Sequence, residues 1–224
     1  MAVCEIRDLN KTYTGEHNYI QAIVNCNMEI NKGEFTVING DRASGKSTLL
    51  RILGGLERPT NGEVYINKHN ITALSDDELA IMRRNEIGFL FQNNSLISEL
   101  TVHENIIMPS VLAHKKYIKE YYEEIIGRLG INDILSLYPR QLSFSQLECV
   151  TYARALINNP DIILVDEPSD NYKLDKVILD LLLNMVYLYH KTLVMVTNDP
   201  EVSIFADHIV RLQEGMIVEN RKII

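Results

Sequence analysis

The stretch that decides the fold is "EFTVINGDRASGKSTLLRILGGL", residues 34–56. It joins a short apolar run, the octet "GDRASGKS" from Gly40 to Ser47, and an apolar pattern with helical spacing. The octet fits G-x-x-x-x-G-K-[ST], which binds phosphate when it lies between a strand and a helix. Its glycines let backbone N–H groups surround phosphate oxygens. We therefore predict that Lys46 contacts the β- and γ-phosphates of a nucleotide and that Ser47 holds Mg²⁺. A chance loop with this pattern is the alternative.

Further apolar runs predict a parallel α/β sheet around this loop. The strand-like runs are residues 87–91, 161–166 and 192–197. Helical patterns follow at 173–190 and near Glu201, and such alternation is typical of a parallel sheet. The segments "VCEIRDL", "CNMEI" and "EVYI" predict an added antiparallel β layer. Residues 101–157 have only helical patterning, which predicts an inserted α-helical subdomain.

A pair of acids ends one of the predicted strands. The segment "DIILVDE" places Asp166 at the strand end and Glu167 directly after it. With a phosphate loop upstream, Asp166 is a candidate Mg²⁺ ligand and Glu167 a candidate base for the attacking water. The alternative is that both acids are simply solvated.

Composition limits the partners and the compartment. The 224 residues carry a formal charge of −8, which argues against a nucleic-acid groove and against direct adhesion to anionic lipid. Any membrane contact is then expected to run through a protein partner. Three widely spaced cysteines suggest reduced thiols in a cytoplasmic protein. The most apolar long window, residues 177–188, is too short to cross a bilayer.

The segment "YPRQLSFSQLECVTYARAL", residues 138–156, contains a capped helix start. Ser143 is followed by Gln146 and then by apolar residues at helical spacing, which is the pattern of a capping box. A helix N-terminus also attracts phosphate through its free N–H groups. The sequence leaves two interpretations open, a structural cap and a weakened phosphate contact, and favours the cap.

These motifs in this order resemble the ATP-binding subunit of ABC transporters. The segments "LGGLERPTNGEVYI", "IGFLFQNNSLISELTVHENI" and "YPRQLS...ARALINNPDIILVDEPS" are most similar to the branch that serves lipoprotein-release, macrolide-export and antimicrobial-peptide transporters. The resemblance implies a P-loop NTPase fold in which residues 1–224 form one ATP-binding domain. Its RecA-like core lobe would span 1–92 and 159–224, and its helical lobe 93–158.

The resemblance also implies cofactors, partners and site residues. ATP and Mg²⁺ would be bound, and two subunits, as a homodimer or a heterodimer, would enclose two ATP molecules. A membrane permease would hold the chain at the inner face of the cell membrane. Tyr13 would stack on adenine, with a packing role as the alternative. Gln92 would link the Mg²⁺ site to the permease, with a plain surface role as the alternative.

The predicted site residues fall into three groups. The catalytic group is Glu167, Gln92 and Asn198. The nucleotide-binding group is Tyr13, Gly40, Asp41, Arg42, Ala43, Ser44, Gly45, Lys46, Ser47, Thr48, Ser143 and Gln146. The metal-binding group is Ser47, Gln92 and Asp166.

Three segments depart from the family pattern. The signature that is usually Leu-Ser-Gly-Gly-Gln is "LSFSQ" here, so Phe144 and Ser145 replace two glycines. "VTNDP" puts Asn198 at the position of a family histidine that contacts the γ-phosphate and the attacking water. "SDNYKLD" is two residues longer than usual before Asp175. Because these changes fall on the γ-phosphate and dimer-crossing parts, binding of ATP is expected to outlast hydrolysis. A slow transporter ATPase and a nucleotide-gated clamp without turnover are both compatible with this pattern.

Overall fold

The computed structural model describes residues 1–15, 19–90, 96–166 and 174–223. In chain order, its strands and α-helices are β1 (Ala2–Thr14), β2 (Tyr19–Asn31), β3 (Phe35–Gly40), α1 (Lys46–Leu53), β4 (Asn61–Ile66), β5 (His69–Asn70), α2 (Asp76–Glu86), β6 (Ile87–Leu90), α3 (Val102–Leu112), α4 (Lys119–Leu129), α5 (Phe144–Leu156), β7 (Ile162–Asp166), α6 (Lys176–Tyr187), β8 (Thr192–Val196), α7 (Pro200–Ser203), β9 (His208–Gln213) and β10 (Met216–Lys222). Short 3₁₀ turns cover Ile71–Ala73, Asn132–Ile134 and Pro139–Gln141.

A six-stranded sheet with the order β10-β9-β3-β8-β7-β6 forms the core. Strands β9, β3, β8, β7 and β6 run parallel, and β10 pairs antiparallel with β9. The carboxyl ends of parallel strands meet at one edge, where ligands of α/β proteins usually bind. This edge carries the ends of β3, β7 and β8, and therefore the segments that begin at Gly40, Asp166 and Thr197.

A second, antiparallel sheet covers one side of the molecule. Its order is β2-β1-β4-β5, and the long hairpin of β1 and β2 pairs Tyr13 with Ile20 near its tip. Apolar side chains of this sheet share a buried cluster with Leu49 and Leu53 of α1 and with Ile38 of the central sheet. Neighbouring residues of a strand point to opposite faces, so Val37 belongs to a different cluster, together with helices α3 to α6.

The predicted α/β fold class is confirmed, with a parallel sheet, an antiparallel layer and helices between β6 and β7. The four predicted core strands form, with ends that differ by at most two residues where they can be compared; residue 91 of the predicted 87–91 strand lies outside the described residues. Helix α6 spans Lys176–Tyr187 within the predicted 173–190, and Asp175 caps its start by accepting a hydrogen bond from Val177 N–H at 2.8 Å. Helix α2 and strands β9 and β10 are not among the predicted elements.

None of the helices in the described ranges is both long enough and apolar enough to cross a membrane.

Candidate nucleotide site

The loop between β3 and α1 has a backbone conformation that depends on its glycines. Gly40 has φ 147° and Gly45 has φ 101°, values that residues with a side chain rarely adopt. Space is also missing, because a Cβ on Gly40 would lie 2.1 Å from the Leu212 carbonyl oxygen and one on Gly45 would lie 2.1 Å from the Ala22 carbonyl oxygen. The glycines of the motif are therefore required by both torsion and packing.

Helix α1 begins directly after this loop and has no side-chain cap. Its N-cap, Gly45, is left-handed and offers no side-chain acceptor to the first turn. The ammonium of Lys46 lies across the loop and donates to the carbonyl oxygens of Gly40 and Asp41, each at 2.7 Å. Asp41, Arg42 and Ala43 are exposed, and Ser44 is buried. An uncapped helix start beside an ammonium group is a favourable site for phosphate.

Ser47 and Asp166 form the candidate metal position. The Ser47 hydroxyl donates to Asp166 Oδ1 at 2.9 Å. Burial at the end of β7 raises the pKa of the Asp166 carboxyl, while the Ser47 hydrogen bond and the charges of Arg51 and Lys46 oppose that rise. Two adjacent oxygen ligands beside a phosphate loop suit Mg²⁺, which takes few protein ligands and completes its shell with phosphate and water.

No group of three or more His, Cys, Asp or Glu residues in the described ranges could hold a metal ion alone. The Ser47 hydroxyl and the Asp166 carboxylate fit Mg²⁺ that is held together with a nucleotide.

Asn198 lies after β8 and contacts the phosphate loop directly. Its Oδ1 accepts the backbone N–H of Gly40 at 3.1 Å. Since an N–H group must be met by the oxygen of an amide, this contact fixes the side-chain orientation. Where the family resemblance implies a histidine, the structure has an amide that does not titrate.

Tyr13 lies near the end of β1, above the start of α1. Its side chain is 37% exposed, and its hydroxyl is 3.2 Å from the Thr48 Oγ1. Burial raises the pKa of the Tyr13 phenol, and the neighbouring Glu57 carboxylate adds to the rise. The structure therefore places an available aromatic ring next to the predicted nucleotide-binding residues.

Ser143 and Gln146 form a second group at the start of α5. The Ser143 Oγ accepts the Gln146 N–H at 3.3 Å, and Gln146 Oε1 accepts the Ser143 N–H at 2.9 Å. This is the capping box that the sequence predicts. Phe144 directly follows the cap and is 63% exposed.

Two of the predicted catalytic residues, Gln92 and Glu167, lie outside the described residues, as does most of the lengthened segment before Asp175. Their roles stay predictions. One structural support was not predicted, namely Gly215 in the turn between β9 and β10. Its N–H donates to the Ser44 carbonyl at 3.0 Å, so this turn braces the phosphate loop. Gly215 is a turn signal, but it does not indicate which loop the turn will contact.

Comparison with known proteins agrees with this geometry. The family model described as "ABC transporter" matches residues 23–170. An uncharacterised ABC transporter ATP-binding protein of Methanocaldococcus jannaschii, MJ1508, is 40% identical over 96% of this chain and 97% of its own length. The macrolide export ATP-binding/permease protein MacB of a Shewanella strain is 35% identical over 99% of this chain, which spans 35% of the length of that protein.

Solved structures of ATP-binding cassettes also match this chain. The ATP-binding cassette MJ0796 of M. jannaschii, solved as a dimer, matches with a TM-score of 0.89 and 37% identity, covering 98% of each chain. Its dimeric post-hydrolysis state bound to ADP and Pi matches with a TM-score of 0.88. This chain therefore belongs to the ABC transporter family as an ATP-binding domain, with ATP and Mg²⁺ as its cofactors.

Proposed function

We propose that the chain binds Mg-ATP between the β3–α1 loop and Tyr13 and couples that binding to a membrane permease, with slow hydrolysis. The single observation that carries the site is the joined arrangement of Lys46, Ser47 and Asp166. An ammonium lies over the loop, and a hydroxyl and a carboxylate stand side by side at the metal position. These are the charges and ligands that the phosphates and Mg²⁺ of a nucleotide require.

The residues of the loop, Gly40 to Thr48, would contact the phosphates through backbone N–H groups and the Lys46 ammonium. Tyr13 would stack on adenine. Asp166 and Ser47 would hold the metal ion, with Gln92 as a further ligand from outside the described residues. Glu167 would be the base for the attacking water.

Slow turnover follows from Asn198 and from the altered α5 start. The Asn198 amide donates a hydrogen bond but cannot carry the positive charge that a histidine can bring to the developing negative charge. A missing contact of this kind typically lowers the rate about a hundredfold. A clamp that closes on ATP without turnover is not favoured by the family relationship.

The partners we propose are a permease subunit and a second ATP-binding subunit. MacB carries ATP-binding and permease parts in one protein, and MJ0796 is dimeric in its solved structures. For this chain, a homodimer or a heterodimer would form and would lie peripherally at the inner membrane face through the permease.

Phosphate release from Mg-ATP tests the rate. We expect slow phosphate release by the wild type and slower release by Glu167→Gln. Asn198→His should release phosphate faster, and this gain should decline as the pH rises above about 6.5 and the imidazole loses its proton. Asn198→Ala serves as the control for simple loss of the amide. Turnover by the wild type at ordinary enzyme rates, abolished by Glu167→Gln, would refute slow hydrolysis while leaving ATP binding intact.

A further inference from the structure

Lys11 stands beside the proposed adenine-stacking residue. Lys11 and Tyr13 are two residues apart on β1, so their side chains share one face of the strand. The Lys11 ammonium lies over the Tyr13 ring, 5.0 Å from the ring centroid. A cation at this distance from an aromatic face is attracted by the ring electrons. One face of the ring is therefore already occupied by a side chain of the same strand.

The ammonium is held in place by two other contacts. Lys11 Nζ lies 2.9 Å from Glu57 Oε1 and donates to the Arg58 carbonyl oxygen at 2.8 Å. The side chains of Lys11 and Glu57 are only 16% and 20% exposed, so the pair is sheltered from water. The ion pair and the backbone hydrogen bond together fix the position of the ammonium, which a solvated lysine would not have.

Lys11 and Tyr13 contact residues near both ends of α1. Glu57 and Arg58 follow the C-terminal end of α1, whereas the phosphate loop precedes its N-terminal end. The Tyr13 hydroxyl contacts Thr48 near the N-terminal end. The Lys11 ammonium covers one face of the Tyr13 ring, and a base can then stack only on the opposite face.

We propose that Lys11 is a positioning residue for the nucleotide base. Its ammonium contacts one face of the Tyr13 ring and holds the ring so that adenine can stack on the other face. Its ammonium, fixed by Glu57 and the Arg58 carbonyl, restricts the ring before the ligand arrives. Less side-chain freedom is then lost on binding. This inference rests on the proposed stacking role of Tyr13.

Calorimetry with two probes, Mg-ATP and Mg-tripolyphosphate, tests the proposal because only ATP has a base. Lys11→Met keeps a long apolar side chain and removes the charge. We expect it to weaken ATP about two- to fivefold and to leave tripolyphosphate unchanged. Lys11→Arg should restore ATP affinity, since a guanidinium can also cover the ring and pair with Glu57. In a Tyr13→Ala background, Lys11→Met should have no further effect.

Arg7 provides a matched control on the same strand. Its guanidinium carbon lies 4.6 Å from the ring centroid of Tyr65, which is not among the site residues. Arg7→Met removes a comparable cation–ring pair from the antiparallel sheet and should leave the affinity for both probes unchanged.

Equal weakening of ATP and tripolyphosphate by Lys11→Met would overturn the proposal and make Lys11 a support of the loop. Unchanged ATP affinity in that variant would overturn it as well. If Tyr13→Ala leaves ATP binding intact, stacking and this inference both fail, yet phosphate-loop binding stands. If the wild type binds neither probe, the proposed function itself fails.

Discussion

The two helix starts that the sequence marks for phosphate, those of α1 and α5, are built in opposite ways. Helix α1 begins at Gly45 without a side-chain cap and has the Lys46 ammonium over its loop. Helix α5 begins at Ser143, whose side chain and that of Gln146 already take each other's backbone N–H groups. Both helices have a favourable dipole at this end. The α5 start thus satisfies two backbone N–H groups with its own side chains, whereas the α1 start has no side-chain cap and has an ammonium beside it, so the dipole alone does not distinguish them.

The largest expected effect is at the glycine of the uncapped start. Gly45→Ala should cost about 3 kcal/mol of folding free energy, because it combines a strained φ with a Cβ that meets the Ala22 carbonyl. Gly130→Ala is the control, since Gly130 has φ 65° but open space around it. It should cost only about 1 kcal/mol. Urea unfolding measures both, and equal losses would show that the close packing is not limiting.

The second largest effect is expected on ATP affinity when the positive charge at the start of α1 is removed. Lys46→Ala should weaken Mg-ATP by about 2 kcal/mol, or about thirtyfold, because hydrogen bonds from an ammonium to phosphate are lost. Calorimetry gives the affinity, and Ser143→Ala is the control that should leave binding to the isolated chain unchanged. Undiminished binding by Lys46→Ala would contradict the phosphate-loop assignment and with it the contrast between the two helices.

The capped start should respond in stability and not in ligand affinity. Ser143→Ala removes the acceptor for the Gln146 N–H and should cost about 1 kcal/mol of unfolding free energy. Ser75→Ala at the start of α2 is the matched control, because Ser75 and Glu78 form the same capping box there. Similar losses from the two variants, measured by urea unfolding, would mark the α5 cap as structural. A loss of ATP affinity from Ser143→Ala alone would mean that the two helix starts share a ligand.

The smallest expected effect on the isolated chain comes from Phe144→Gly. It should cost about 0.5 kcal/mol of stability without ATP, because glycine near a helix start loses more backbone entropy. In a Glu167→Gln background, Phe144→Gly should also increase the ATP-dependent dimer mass in light scattering, since the backbone could then approach phosphate more closely. No gain with ATP over the Phe144 parent would show that this helix does not meet phosphate in the dimer.

Much of the fold was predictable because its signals are local. The octet from Gly40 to Ser47 needs only its own residues and the flanking strand and helix to be recognised. The capping box at Ser143 depends on a spacing of three residues, and the structure forms it as predicted. Strands β9 and β10 were harder, because their partly exposed, mixed patterns depend on pairing with each other and with β3.

The site was only partly predictable, because several of its supports come from distant parts of the chain. Backbone atoms from three distant residues support the loop. The carbonyls of Ala22 and Leu212 pack against its glycines, and the Gly215 N–H donates to the Ser44 carbonyl. Because these partners contribute backbone atoms, their own residue types do not reveal the contacts. Lys11 is one residue among many lysines until the fold brings it over Tyr13 and next to Glu57.

The sequence by itself determined the phosphate loop, the acid at the end of β7, the α/β class and the replacement of two signature glycines and a histidine. These depend on residue type and short spacing, which are properties of the chain alone. Only the tertiary structure decided that Asn198 turns its oxygen to Gly40 and that Ser47 meets Asp166. These contacts join residues more than one hundred positions apart, so they exist only after the parallel strands have brought their carboxyl ends together.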